Sequence, residues 1–230
     1  MNQVFREEKK FLINVEEYIK KSHQLEQIMA QDEHNGAHGY MIRSLYFDTV
    51  YDEDYFDKLA GIECRRKIRL RCYDPDSSFV LLEMKQKQGS SQMKRSLRVE
   101  REDAVRLVDG DYSPLLQYPD HFAQECYALM CSKCYRPKTI VQYNRRAFTA
   151  KENKIRITFD HDIVSTESCL DLFSAQLNMN RVLDPFAVVM EVKFNGFLLE
   201  YIKQMINSMD KSEFAVSKYC LARRHAYQTR

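Results

Sequence analysis

Tryptophan is absent from this sequence, and glycine and proline are scarce, at 6 and 5 of 230 residues. So few chain breakers exclude collagen-like and low-complexity architectures and leave room for long regular elements. No apolar run approaches the length of a bilayer span, so no membrane segment is expected in this chain. The opening stretch MNQVFREEKKFLI is charged from residue 6 and lacks the apolar core of a signal peptide. An excess of either charge is missing too. Lys and Arg total 35 against 33 Asp and Glu, a formal net charge of +2. That balance excludes a bulk basic nucleic-acid coat, so no nucleic-acid partner is expected and any anion site must come from local charge placement. The 7 cysteines are odd in number and scattered, which suits free thiols in a reducing cytoplasm better than a secreted disulfide framework. There is no P-loop, no G-x-G-x-x-G and no repeat at a solenoid period.

What is present is ample material for a core. Hydrophobic residues make up 44% of the chain and charged residues 30%, and the length favours one domain spanning residues 1–230. Hydrophobic periodicity predicts strands over 4–13, 40–47, 64–73, 79–87, 92–100, 138–149, 154–162 and 186–195. Helices are expected over 15–29, 52–60, 102–108, 120–131, 197–208 and 215–227, while 165–184 gives no clear pattern. The turn signals DPDSS and QGSS separate the third to fifth strands, as meander hairpins require. The pattern is α+β with a mostly antiparallel sheet.

The strands carry an unusual feature. Because side chains alternate faces, Glu8 and Lys10 share one face of their strand. So do Lys67, Arg69 and Arg71; Glu83, Lys85 and Lys87; Arg156, Thr158 and Asp160; and Glu191 and Lys193. An ordinary half-exposed sheet would place such rows in water. These rows, however, repeat Arg and Lys with isolated Glu, and several helices need an apolar sheet face to cover. If helices cover the apolar faces, the charged faces turn inward and line a polar tunnel. Buried cations in that number require an anion or paired acids. The candidate cations Lys10, Arg43, Arg69, Arg71, Lys85, Arg145, Arg156, Lys193 and Lys218 outnumber the candidate acids Glu8, Glu83, Asp160 and Glu191 by five. That surplus suits a tri- or polyphosphate with a divalent metal.

The segments FREEKKFLI, IRSLYFDT, IRLRCY, LLEMKQK, YNRRAF, IRITFDHDI, VMEVKF and SKYCLA occur in this order from residue 5 to residue 222. In this arrangement the chain resembles the VTC domain, the catalytic part of the vacuolar transporter chaperone polyphosphate polymerases, within the triphosphate tunnel metalloenzyme superfamily. The resemblance implies an antiparallel eight-stranded β-barrel with helices packed outside. It implies an ATP-dependent transferase that adds the γ-phosphate of ATP to a polyphosphate chain, using manganese or magnesium. Carried onto this sequence, Lys10, Arg69, Arg71, Lys85, Arg145, Arg156, Lys193 and Lys218 would bind phosphates, with Arg43, Tyr143 and Ser217 adding substrate contacts. Glu191 would hold the metal; Glu8 and Glu83 would share that work or orient neighbouring cations.

The first strand departs from the E-x-E-x-K pattern of the related CYTH-type phosphatases, reading Arg6, Glu8 and Lys10. The missing acid leans toward the polymerase branch. A tripolyphosphatase or nucleoside triphosphatase on the same fold stays open, as does a non-catalytic module binding polyphosphate or inositol phosphates. The regulatory SPX domain and membrane helices of the polymerases have no counterpart in these residues, which leaves a separate membrane partner as an expectation. Arg43 has a structural alternative in Asp48 or Glu53, Asp160 reads as an anchor for an arginine, and Tyr143 as a core aromatic. Lys87 and Lys94 read as tunnel-mouth or solvent residues. Cys131-x-x-Cys134 lacks a second pair at zinc-ribbon spacing, and His34 and His38 flank a loop.

Overall fold

A computed structural model describes residues 6–36, 39–89, 91–214 and 217–228. In chain order the elements begin with β1 (Arg6–Asn14), α1 (Val15–Ile28), β2 (Ala30–Gln31), β3 (Tyr40–Thr49) and α2 (Glu53–Leu59). The strands β4 (Arg65–Cys72), β5 (Phe79–Gln88) and β6 (Ser91–Glu100) follow, then α3 (Arg101–Val108) and α4 (His121–Ser132). The last third holds β7 (Tyr135–Thr149), β8 (Arg156–Thr166), β9 (Asn180–Arg181), β10 (Ala187–Asn195), α5 (Glu200–Asn207), β11 (Ser212–Glu213) and α6 (Lys218–Gln228). Three strands have only two residues, so eight long strands remain among the described residues, as expected for this α+β chain. No helix among them is long and apolar enough to cross a membrane.

Local chemistry sets several boundaries. The Asn14 carboxamide accepts from the Glu17 amide at 2.8 Å and caps α1, whose first turn carries Glu16 and Glu17. Asp120 caps α4 in the same way through the Phe122 amide. Asp74 accepts from the Asp76 amide at 2.9 Å, closing the DPDSS turn between β4 and β5. The start of β7 lies three residues before the expected 138, because Pro137 sits inside the strand. A proline lacks the N–H that a central ladder needs, so it reads as a boundary from sequence. Val4, Phe5, Ala215 and Val216, included in the expected first strand and last helix, lie outside the described residues.

The chain forms two compact units. The first comprises Met1–Met41, Tyr143–Ile163 and Leu183–Val216. Its strands run in the order β11-β1-β10-β8-β7, with β2 paired to β7. One face of this sheet presents Phe11, Ile13, Ile157, Phe159, Val188, Met190, Val192 and Phe194. Against it pack Leu25 and Met29 from the α1 end and Ile202, Ile206 and Met209 from the α5 end. The second unit comprises Ile42–Gln142, Val164–Val182 and Ser217–Arg230. Its strands run β7-β3-β4-β5-β6, with β9 on the end of β8. Leu45, Phe47, Ile68, Leu70, Leu82 and Met84 pack here with Ala104 and Leu107 of α3 and with Phe122, Ala123, Cys126 and Met130 of α4. In each unit, therefore, helices cover the apolar face, and alternation leaves the charged rows on the opposite one.

Candidate functional site

The charged face of the first unit is organised around Glu191. Antiparallel register places Lys10 opposite Glu191 and Glu8 opposite Lys193. Lys10 Nζ lies 2.9 Å from Glu191 Oε1 and 3.2 Å from Glu8 Oε1. Lys193 Nζ donates to Glu191 Oε2 at 3.1 Å, and Arg145 Nη2 stands 3.9 Å from the same oxygen. Burial alone would push the Lys10 pKa down, but Glu191 and Glu8 outweigh it and hold the ammonium charged beyond its ordinary range. Arg145 donates from Nε and Nη2 to the two carboxylate oxygens of Asp160, at 2.6 and 2.7 Å. This fork-to-fork pair on a fully buried aspartate fixes the guanidinium plane. The buried Tyr143 ring lies 5.4 Å from the Arg145 guanidinium carbon. Arg156 is held by Asp32 Oδ2 at 2.7 Å and by the Tyr40 hydroxyl at 3.2 Å.

The charged face of the second unit is organised around Glu83. Both Nε and Nη2 of Arg69 reach Glu83 Oε2, at 2.8 and 2.7 Å, and Arg71 Nε lies 3.5 Å from it. Lys94 pairs with Oε1. Burial would raise the Glu83 pKa; Arg69 and Lys94 overcome it and hold the carboxylate below its usual range. Arg69 also donates from Nη1 to the Tyr46 hydroxyl at 2.9 Å. Beyond Glu83, Lys67, Lys85 and Lys94 stand in register on β4, β5 and β6. Like charges in direct register are unfavourable unless an anion joins them.

Not every expected residue joins these faces. Arg43 shares the apolar face of β3 with Leu45 and Phe47 and lies opposite Cys72. Its guanidinium donates to Gln142 Oε1 at 2.8 Å and to the carbonyls of Leu172 and Ser174 at 3.0 and 2.6 Å. A cation buried among carbonyls on the core side is a structural clamp, and the expected substrate contact is withdrawn; Asp48 and Glu53 are not its partners in these bonds. Ser217 spends its hydroxyl on the Cys220 amide at 3.1 Å, capping α6. Lys218 opens that helix, half-buried. Glu83, expected to share the metal work or orient neighbouring cations, contacts Arg69 and Arg71 through Oε2 and Lys94 through Oε1.

For a divalent ion, Glu8 and Glu191 offer hard carboxylate oxygens on one face, the donor type that Mg²⁺ or Mn²⁺ takes. The Lys10 ammonium standing between them marks a position already built for positive charge. Among the described residues no group of three or more His, Cys, Asp or Glu is arranged for a metal. The remaining ligands would be water and substrate oxygens, as is usual for Mg²⁺ in phosphoryl transfer sites. The donor set fits such an ion.

The VTC domain family matches this sequence over residues 5–227. The chain belongs to the VTC domain family. No curated protein matches this VTC domain. Among solved structures it is similar to a Hippeastrum protein described as an adenylyl cyclase candidate with a dominant triphosphatase activity. The TM-score is 0.57 at 11% identity, over 95% of each chain. It is also similar to an adenylate cyclase candidate from Bacillus halodurans, with a TM-score of 0.51 at 13% identity, over 91% of this chain and 96% of that one. The VTC domain thus shares its fold with both.

The sequence pointed past several residues of these clusters. In β3 the alternation places Ser44, Tyr46 and Asp48 together opposite Arg43, so Tyr46 was within reach of the same period-two reading. Lys94, read from sequence as a tunnel-mouth or solvent residue, is half-exposed and pairs with Glu83. Nothing local links Asp32 to Arg156 or Tyr219 to Asp48, because each pair lies more than a hundred residues apart.

Proposed function

We propose that this VTC domain is an ATP-dependent polyphosphate polymerase, and that residues 1–230 act as one domain, since the family match runs through both units. The observation that carries the reading is the convergence of Lys10, Lys193 and Arg145 on Glu191 in a chain of this family. Phosphoryl transfer asks a protein for positioning and charge neutralisation more than for covalent chemistry. A terminal oxygen of the acceptor chain attacks the γ-phosphorus of ATP, the bond from γ-phosphorus to the β,γ-bridging oxygen breaks, and ADP leaves. Arg69 and Arg71 grip phosphate oxygens with planar, permanently charged forks, while Lys10, Lys85, Lys193 and Lys218 act as point charges. Arg145 and Arg156 add fixed guanidinium groups oriented by Asp160 and Asp32, and Tyr143 borders Arg145. A divalent ion held by Glu191 with Glu8 would neutralise charge on the phosphoryl oxygens.

The purified protein, incubated with ATP and Mn²⁺ with and without a short polyphosphate primer, tests this. ADP formation with lengthening chains, lost on chelation and in Arg71→Ala, is the expected outcome. Release of orthophosphate without chain growth would move the assignment to a metal-dependent triphosphatase, the reading favoured by the described activity of the Hippeastrum protein. Tight polyphosphate binding without ADP formation would leave a binding module.

A further inference from the structure

Asp48 is fully buried and accepts four hydrogen bonds. Its Oδ1 takes the amides of Thr49 and Asp54 at 2.7 and 2.9 Å. Its Oδ2 takes the Tyr55 amide at 2.9 Å and the Tyr219 hydroxyl at 2.6 Å. Three of these bonds are local and tie the start of α2 to the end of β3. The fourth crosses 171 residues to α6. The Tyr219 ring in turn stacks on Tyr46, with centroids 5.1 Å apart and planes at 25°. The Tyr46 hydroxyl accepts from Arg69 Nη1, and the Arg69 guanidinium carbon lies 5.7 Å from the Tyr46 ring.

We infer that Asp48 and Tyr219 are positioning residues that fix the Arg69 guanidinium through Tyr46, and that the same contact sets the first turn of α6, where Lys218 sits. The inference rests on the reading of Arg69 as a phosphate-binding residue. A free arginine samples many rotamers, and ordering it on a ligand costs affinity. Arg69 is instead held at three donors, with Glu83 fixing Nε and Nη2 and Tyr46 fixing Nη1. Tyr46 cannot rotate away while Tyr219 lies flat against it, and Tyr219 is pinned by a carboxylate that is itself locked by three backbone amides. Rigid support of this kind is what a site requires to hold its geometry. Lys218 and Tyr219 are adjacent, so the hydroxyl bond that orients the ring also sets the start of the helix.

The test uses inorganic tripolyphosphate, titrated calorimetrically into the full chain. The wild-type protein is expected to bind it, and Arg69→Lys to weaken binding. Tyr46→Phe, which removes one hydroxyl and keeps the ring, should weaken binding about tenfold, the scale of one lost hydrogen bond to a charged group. Tyr219→Phe should weaken it about threefold, since the stack survives while the Asp48 anchor is lost. In an Arg69→Lys background neither substitution should add a further loss, because coupled residues fail additivity. A purely structural role would lower thermal stability and leave the losses additive. Additive losses, or unaltered binding in Tyr46→Phe and Tyr219→Phe with a real loss in Arg69→Lys, overturn the positioning role alone. Absence of binding by the wild-type chain sinks the phosphate reading, and this inference with it.

Discussion

Lys10 and Glu191 lie directly opposite one another on the antiparallel strands β1 and β10, with the ammonium 2.9 Å from the carboxylate. The pairing joins residues 181 positions apart and places a cation in contact with a largely buried acid. Glu191 serves Lys10 with one oxygen and Lys193 with the other. It therefore fixes the spacing of two ammonium groups on the face proposed to meet phosphate.

Glu191→Gln removes that charge with little change in shape. Phosphate binding should persist, since the face becomes more positive, while ADP formation with Mn²⁺ should fall by about a hundredfold or more. Parallel measurement of binding and turnover separates the two effects. Full activity in the variant would remove Glu191 from the metal assignment.

Asp160 and Arg145 form a pair that is costly to break. Asp160→Ala leaves a buried guanidinium without its fork partner and should destabilise the fold by about 3 kcal/mol. Asp160→Asn, which retains an acceptor, should lose less. Urea unfolding midpoints at constant m-value provide the measurement.

Gly39 has φ +89°, and a Cβ there would stand 2.3 Å from the Arg145 carbonyl oxygen. The obstruction is backbone, so it has no side chain to swing aside. Gly39→Ala should cost about 1–3 kcal/mol through the strained φ and the displaced strand. Because the displaced peptide belongs to Arg145, tripolyphosphate binding should weaken along with stability. A variant with wild-type melting temperature and affinity would refute this.

Asp54 gives the fold a pH dependence of unusual sign for an acid. Burial, with the charge of Asp48 beside it, pushes its pKa up to about 7 from an ordinary 3.8. The native state therefore holds this proton more tightly than the unfolded chain does. Its contribution to stability is present below about pH 4, declines as pH rises toward about 7 and is lost above that. Asp54→Asn should flatten this decline in denaturation midpoints collected across that range. An unchanged slope would show that another group carries it.

The strands were legible because their chemistry is local. In β4 and β5, Arg69, Arg71 and Glu83 alternate with Ile68, Leu70, Leu82 and Met84, and such alternation specifies both a strand and its faces. Which residue meets which was not legible. Nothing near Lys10 names Glu191 as its partner, and nothing near Tyr46 names Tyr219, because register across distant strands is settled by the whole sheet. Arg43 shows a different limit. Its position beside Leu45 and Phe47 assigned it to the apolar face, but its residue type suggested phosphate. The structure follows position, supplying buried carbonyls in place of water.

The lysine and two arginines of β6 have a second consequence. As the last strand of its path, β6 carries a row of main-chain amides and carbonyls on which another chain could assemble. Lys94, Arg95 and Arg98 line that strand, with Lys85 beside Lys94 in register. Two copies brought edge to edge would confront like charge with like charge. The basic residues of this strand thus also discourage fibrous self-association.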